Sequence, residues 1–308
     1  MRALVTGADG FIGSHIVRAL AARGHQVTGV VYGRAPRAGE VRVDLTRASE
    51  LAQLPDSVDV VVHAAGSVDA SSSAQLFAIN VVATQELATW AARRKLGHFV
   101  HISSVAVYGP LTLGEQRSER TPRIGRVLGL PYMRSKAAAE RVIERSGVPY
   151  SMLRAPVVLG AGDTVISRGF HDALLGDGIP LLPGAHQRRK VSLVLADGLG
   201  AMSALLLERG ALYGAVHAVD VELTLDELSS IYARALGVAP SVAPIGWAEA
   251  LRTRSRVGHA WLVASARFGQ HYARERLVRQ LGYRSEASLE SAVQSGLSSL
   301  QGDKRRLF

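Results

Sequence analysis

The chain has 308 residues, 47% of them apolar and 20% charged, enough for a large core in one domain or two closely joined ones and too apolar for disorder. It has no cysteine, which excludes disulfides, thiolate metal sites and cysteine nucleophiles. Its formal charge of +10 suits anionic ligands, yet the arginines are spread along the chain, aromatics are 6% and no basic helix or zinc-finger spacing points to nucleic acid.

Residues 2–6 read as a short buried strand. The N-terminal run is too short for a signal h-region, and no stretch approaches the ~18 apolar residues of a membrane span. A cytoplasmic protein is therefore expected. Gly7-Ala8-Asp9-Gly10-Phe11-Ile12-Gly13 comes next, then a segment of helical period closed by Gly24. Strand, glycine loop and helix in this order form the setting of a dinucleotide-binding loop. The glycines let the backbone turn and approach a pyrophosphate, and the helix start offers free N–H groups. The spacing is G-x-x-G-x-x-G, and a tight turn that packs a helix on a strand uses the same residues.

Residues 27–31 are the next strand. An acid at the end of such a strand bonds the ribose 2′-OH of NAD. Val31 and Tyr32 hold that place here, with Arg34 and Arg37 beyond. An arginine there accommodates a 2′-phosphate; the alternative is a surface loop with ordinary arginines. Residues 41–45 form a third strand, with Asp44 at its end in reach of an adenine. Residues 58–66 form a fourth, whose apolar run fits a parallel strand buried on both faces. Its small terminal residues leave room for a ligand, and His63 reads as a packed histidine.

A long helix is predicted over 74–95, with Asn80 inside it. Residues 98–108 give the fifth strand and its exit, carrying Ser103-Ser104. Tyr132 and Lys136 then stand four apart in a helix-forming segment, on one face and one turn apart. An ammonium within ~4–6 Å of a phenol lowers its pKa by roughly 1–3 units, toward the range useful for proton exchange. Taken alone, the pair also fits a partly buried tyrosine and a solvated lysine. Residues 149–154 form the sixth strand and lead to Ala155-Pro156. Gly and Pro clusters and Arg188-Arg189-Lys190 follow. Residues 215–219 are one more strand of the main sheet, 222–308 are mostly helical, and the tail 302–306 is charged and frayed.

Strands alternating with helices indicate an α/β fold with a doubly wound parallel sheet. The expected dinucleotide-binding domain is 1–163 with 191–221. A smaller, mostly helical substrate cap comprises 164–190 and 222–308. Ligands bind outside the carboxyl ends of such strands, where residues 7–13, Asp44, residues 64–66, Ser104 and Pro156 converge.

The combination Thr6-Gly7-x-x-Gly10-Phe11-Ile12-Gly13, Asp44-Leu45, His63-Ala64-Ala65-Gly66, Asn80-Val81, Ser103-Ser104-Val105-Ala106-Val107-Tyr108-Gly109 and Tyr132-x-x-Ser135-Lys136 resembles the extended short-chain dehydrogenase/reductases, the NAD-dependent epimerase/dehydratase group. The likeness covers roughly residues 1–220, and 281–290 look like that group's closing segment. It implies a Rossmann fold and a catalytic set of Ser104, which polarises the substrate, Tyr132 as acid/base and Lys136. It implies cofactor contacts from Gly7, Gly10, Phe11, Ile12, Gly13, Asp44, Leu45, Ala64, Ala65, Gly66, Asn80, Tyr132, Lys136 and Pro156, to which the residues themselves add Arg34. NADP is the preferred cofactor and NAD the alternative. In this reading hydride passes between nicotinamide and a carbonyl held by Ser104 and Tyr132.

Two departures narrow the branch. Sugar 4,6-dehydratases of the group carry Asp-Glu after the catalytic hydroxyl, where this chain has Val105-Ala106. Sugar-nucleotide epimerases usually have Asn where this chain has Val157. Leu153-Arg154-Ala155-Pro156 looks more like the 3β-hydroxysteroid dehydrogenase and dihydroflavonol reductase branch, whose substrates are less polar. Arg117, Arg120, Arg123 and Arg126 keep an anionic substrate open, against a solvated charge run. The expected activity is that of an NAD(P)-dependent dehydrogenase or reductase on a small-molecule ketone or alcohol. A nucleotide-sugar epimerase, or a non-catalytic cofactor sensor or assembly protein, are the alternatives. No nucleic-acid or membrane partner is expected. Apolar Leu76, Phe77, Val81, Leu87 and Trp90, with the pairing of the equivalent helices in the resembled group, point to a homodimer.

Overall fold

The computed structural model describes residues 1–68, 72–109, 116–185, 188–252 and 257–304. Its strands are β1 (Arg2–Thr6), β2 (Gln26–Val31), β3 (Glu40–Arg42), β4 (Val60–His63), β5 (His98–Ser104), β6 (Tyr150–Ala155), β7 (Val157–Leu159), β8 (Ile179–Leu181), β9 (Lys190–Leu195), β10 (Gly214–His217), β11 (Val221–Thr224) and β12 (Val242–Pro244). Its helices are α1 (Phe11–Ala22), α2 (Ser73–Phe77), α3 (Ala83–Arg93), α4 (Gly125–Leu128), α5 (Pro131–Arg145), α6 (Ile166–Leu175), α7 (Ala196–Arg209), α8 (Leu225–Leu236), α9 (Trp247–Arg252), α10 (Val257–Phe268), α11 (Glu275–Leu281) and α12 (Leu289–Lys304). No described helix is long and apolar enough to cross a membrane.

Among the described residues, seven strands form one parallel sheet in the order β10-β6-β5-β4-β1-β2-β3. This is the doubly wound Rossmann arrangement that the alternation of elements predicts. The order reverses at β1, which has β2 on one side and β4 on the other. A crevice at the carboxyl end of such a reversal is where open α/β sheets take ligands. Residues 7–13 follow β1 and residues 64–66 follow β4, so both loops flank it.

The central strands β1, β4, β5 and β6 are buried on both faces, as expected for a parallel sheet covered by helices. Val5, Val60 and Val62 pack with Ile16, Leu20, Leu199 and Leu206. Leu4, Val61 and Phe99 pack with Leu87, Trp90 and Ile143. Successive side chains of a strand point to opposite faces, which is why Val61 and Val62 lie in different cores. Burial of each such side chain is worth about 1.5–3 kcal/mol.

The chain leaves this sheet at Pro156. Proline has no N–H for a ladder, and beyond it β7 enters a second sheet, parallel to β9, with β11 antiparallel on the other edge of β9. Around this sheet Leu159, Leu193, Leu262 and Val293 form a core of their own, with the Phe170 and Tyr232 rings stacked 4.1 Å apart. The single helix predicted over 74–95 is interrupted, since a π-helical turn at Ala78–Val82 joins α2 to α3. Of the apolar residues there, Leu76, Val81, Leu87 and Trp90 are buried within the protomer and Phe77 is 47% exposed. The tail is helical to Lys304; Arg305 and Arg306 lie outside the described residues.

Candidate active site

Gly7 has φ +65°, a conformation open to glycine, and a Cβ there would lie 2.9 Å from Ala65. A Cβ on Gly13 would lie 1.9 Å from the Gly7 carbonyl oxygen. The loop can fold back onto α1 and against residues 64–66 only with glycine at these two positions. Gly10 is the N-cap of α1 and brings no side-chain cap. The Phe11 and Ile12 amides therefore stand without a capping group at the positive end of the helix dipole, a donor set that fits a pyrophosphate.

α5 opens with Pro131 at its first position, where proline is pre-organised, and this sets Tyr132 in the first turn. Opposite, Ser104 ends β5. Its Oγ accepts from the Ala106 amide at 3.1 Å, and Ser104 acts to lower the pKa of the Tyr132 phenol. Lys136 is buried and donates to the Ile102 carbonyl at 2.8 Å. A Cβ on Gly66 would lie 3.1 Å from Asn80 Oδ1 and 4.0 Å from Lys136 Nζ, so residues 64–66 approach the lysine closely. Ser104, Tyr132 and Lys136 are thus brought together beside the crevice.

The electrostatics differ from the expectation of a phenol lowered by its lysine. Burial raises the Tyr132 pKa, and the Ser104 hydrogen bond only partly opposes it. Burial pushes Lys136 down to about 8, against the charge of Glu140. The physical reason is that desolvation acts on both groups, while the ammonium is directed to the Ile102 carbonyl.

The flanking residues serve the scaffold as well. Asn80, in the π turn, accepts from the Ser67 amide at 2.9 Å and donates to the Ser67 carbonyl at 2.8 Å and to Ser135 Oγ at 3.0 Å. Ser135 in turn donates to the Tyr132 carbonyl at 2.8 Å. His63 is fully buried between Thr6 Oγ1 at 2.7 Å and Thr84 Oγ1 at 2.9 Å. Thr84 gives its proton to the Asn80 carbonyl at 2.8 Å, so it accepts from His63 Nε2–H, and Thr6 donates to Nδ1. Burial, then Lys136, lowers His63 to about 3, so it is neutral and structural, as its sequence position indicates.

Asp44 accepts from the Thr46 amide at 3.0 Å and its hydroxyl at 2.6 Å, which shapes the turn after β3; Leu45 is buried. Pro156 stands between β6 and β7. Arg34 faces carboxylates. It donates to Glu40 at 2.6 and 2.7 Å and lies 3.6 Å from Asp9 in the glycine loop. The acid missing from the end of β2 is thus replaced by one from β3, which a reading along β2 alone does not reveal. In the basic loop, Arg123 pairs with Glu140 and Glu144 and Arg117 lies over the Tyr108 ring at 5.6 Å, while Arg120 and Arg126 are exposed.

Residues 3–209 match the NAD dependent epimerase/dehydratase family. The chain belongs to that family. It is 29% identical to the 3 beta-hydroxysteroid dehydrogenase/Delta 5-->4-isomerase of Mycobacterium tuberculosis over 211 residues, 61% of this chain and 55% of that protein. That match spans about half the relative's length. The dTDP-glucose 4,6-dehydratase of Streptomyces niveus is 29% identical over 299 residues, 84% of this chain and 82% of that protein. Among solved structures, the dTDP-glucose 4,6-dehydratase DesIV of Streptomyces venezuelae, with NAD and TYD bound, superposes with a TM-score of 0.75 at 26% identity, covering 99% of this chain and 98% of that one. The epimerase/dehydratase family is a family of enzymes, and this chain carries its extended short-chain dehydrogenase fold.

Sequence reasoning missed a buried polar cluster in this family member. Glu140, on α5 one turn past Lys136, accepts from Ser103 Oγ at 2.6 Å, Arg154 Nε at 2.9 Å, Arg154 Nη2 at 2.8 Å and Arg123 Nη1 at 2.9 Å. Burial alone would raise its pKa; Arg154 first, then Ser103 and Arg123, hold it below the usual value. Arg154 also donates to Tyr108 Oη at 2.8 Å, and Tyr108 donates to His217 Nε2 at 2.6 Å. The signal was present, since Tyr132, Lys136 and Glu140 are spaced by four along one helix.

Proposed function

We propose that this chain is a nicotinamide-dependent oxidoreductase that interconverts a small ketone and a secondary alcohol, with Tyr132 as acid/base. The observation that supports this reading is Lys136, buried beside the crevice with its ammonium on the Ile102 carbonyl at 2.8 Å and close to residues 64–66, one turn from Tyr132 on α5. A bound nicotinamide cofactor would supply hydride in reduction or accept it in oxidation. The uncapped amides of α1 fit its pyrophosphate. Lys136 has three donors, of which the Ile102 carbonyl takes one, leaving others for a ribose hydroxyl. Ser104 bonds the substrate oxygen, and Tyr132 gives that oxygen a proton in reduction or removes it in oxidation. Val105 and Ala106 follow Ser104; neither can move a proton, which favours redox chemistry over water elimination.

NADP is the preferred cofactor in this reading and NAD the alternative. Arg34 can exchange Glu40 for a 2′-phosphate, or keep Glu40 and leave a carboxylate near the ribose hydroxyls; the lack of an acid at Val31-Tyr32 supports the first. The partners proposed are a small-molecule substrate and a second copy of the chain, without nucleic acid or membrane, in the cytoplasm. The test is a screen of ketones, secondary alcohols and UDP-sugars that follows nicotinamide absorbance. Net turnover on a ketone or alcohol is the expected result. Sugar conversion without net nicotinamide change would make the chain an epimerase, and tight cofactor binding without any turnover would make it a sensor.

A further inference from the structure

We infer that Ser103 and Glu140 are positioning residues that set the register of α5 on β5 and hold a negative charge one turn behind Lys136. Two consecutive residues of β5 bind α5 at successive turns. The Ile102 carbonyl accepts from Lys136 at 2.8 Å, and the Ser103 hydroxyl donates to Glu140 at 2.6 Å. Residues 132, 136 and 140 lie on one helical face, so these bonds act as two rungs between one strand end and the helix that carries Tyr132. A slide or rotation of α5 that moved the phenol would have to break both.

The Glu140 rung is the more firmly anchored. Glu140 is 0% exposed and takes four donors, from β5, β6 and the loop before α4. Ser103 and Arg154 are direct cross-strand partners and both reach Glu140, so the carboxylate also ties α5 to two strands at once. Its charge is matched locally, since Arg154 and Arg123 face it and Glu144 pairs with Arg123. The other titratable groups that feel Lys136 are His63 and His101, and both are held neutral by burial first and by Lys136 second. Glu140 is therefore the facing charge that opposes the lowering of Lys136 by burial.

The inference rests on the redox reading above, and two variants separate its parts. Ser103→Ala removes a rung and leaves the charge, whereas Glu140→Gln removes the charge. For each, melting temperature and cofactor affinity are measured, then kcat against pH for reduction of the ketone found in the screen. The Lys136 titration is followed by NMR of its ε carbon in the unliganded protein, which needs no substrate. Ser103→Ala should lower kcat by roughly ten- to a hundredfold, as expected for a displaced reacting group, with cofactor affinity and the alkaline limb kept. Glu140→Gln should move the Lys136 titration and the alkaline limb down by about one pH unit. Folded variants with wild-type kcat and unmoved titration would overturn the inference, as would a change in melting temperature alone. If Glu140→Gln does not fold, Ser103→Ala decides, and an unchanged kcat overturns the inference. Tyr132→Phe on the same substrate distinguishes the failures. If it stays active, the redox reading falls; if it is inactive while the other two behave as wild type, only this inference falls.

Discussion

A phenol that loses solvent holds its proton more tightly, and desolvation raises Tyr132 for that reason while Ser104 acts the other way. In the redox reading proposed above, that makes it the proton donor of the reduction. Tyr132→Phe removes the donor and little packing, so turnover should fall by roughly 10²–10⁴-fold or more while cofactor affinity is largely kept. Lys136→Ala should lose turnover and also weaken cofactor binding; steady-state kinetics and cofactor titration check both. At the adenosine end, Glu40→Gln weakens the hold on Arg34. NADPH affinity relative to NADH should then rise by roughly tenfold, as read by titrating both cofactors; an unchanged ratio, or one that shifts toward NADH, would show that Glu40 does not restrain Arg34. The shared face of Tyr132 and Lys136 was legible in the sequence because spacing by four along one helix becomes one face, and Ser104 at the end of β5 was legible only through the family resemblance. The partner of Arg34 was not, because Glu40 arrives on a neighbouring strand, and the direction of the phenol's shift was not, because it is set by burial.

The element that departs most from its sequence pattern is the helix carrying Asn80. Apolar period predicts one helix, and the chain instead spends an extra residue in the π turn at Ala78–Val82. Such turns are rare in helices and often mark functional sites. Here the turn brings Asn80 onto the Ser67 backbone and Ser135. Local periodicity could not show this, because the turn is fixed by partners 13 and 55 residues away. Asn80→Ala removes the side chain that accepts from the Ser67 amide and donates to the Ser67 carbonyl and to Ser135, a loss of about 0.5–1.5 kcal/mol for each hydrogen bond. A melting temperature lower by several degrees is expected, together with weaker cofactor binding, since the backbone just after residues 64–66 loses an anchor. Scanning calorimetry and cofactor titration test this; a variant with wild-type values for both would show that the anchor is dispensable. By contrast, β1, β4, β5 and β10 were legible, because apolar runs of this length with small or polar residues at their ends leave little choice.

On the scale of the whole molecule, four buried histidines set the acid limit of stability. Burial lowers His63 to about 3, His98 and His217 to about 4, and His101 well below its ordinary value. In the unfolded chain each takes a proton near pH 6.5. Between about pH 6.5 and 4 the unfolded state therefore binds more protons, and stability falls as pH drops, by up to about 1.4 kcal/mol per pH unit for each histidine. Glu40 and Asp59, lowered to about 2, add to this only as pH falls below about 4.5. Urea midpoints measured from pH 7.5 to 4.5 should decline steeply below 6.5; a flat profile would contradict the burial of these rings. The passage of the chain at Pro156 has a different consequence. The backbone leaves the parallel sheet there, returns with α7 and β10, leaves with β11, returns again where Leu277, Leu281 and Tyr283 join the sheet's core, and departs with Val293 into the other core. The two bodies are braided rather than strung in series. Limited proteolysis should accordingly release no stable fragment of either. Nor can the region around the second sheet be exchanged between relatives as one cassette; its residues have to be changed in place, one by one.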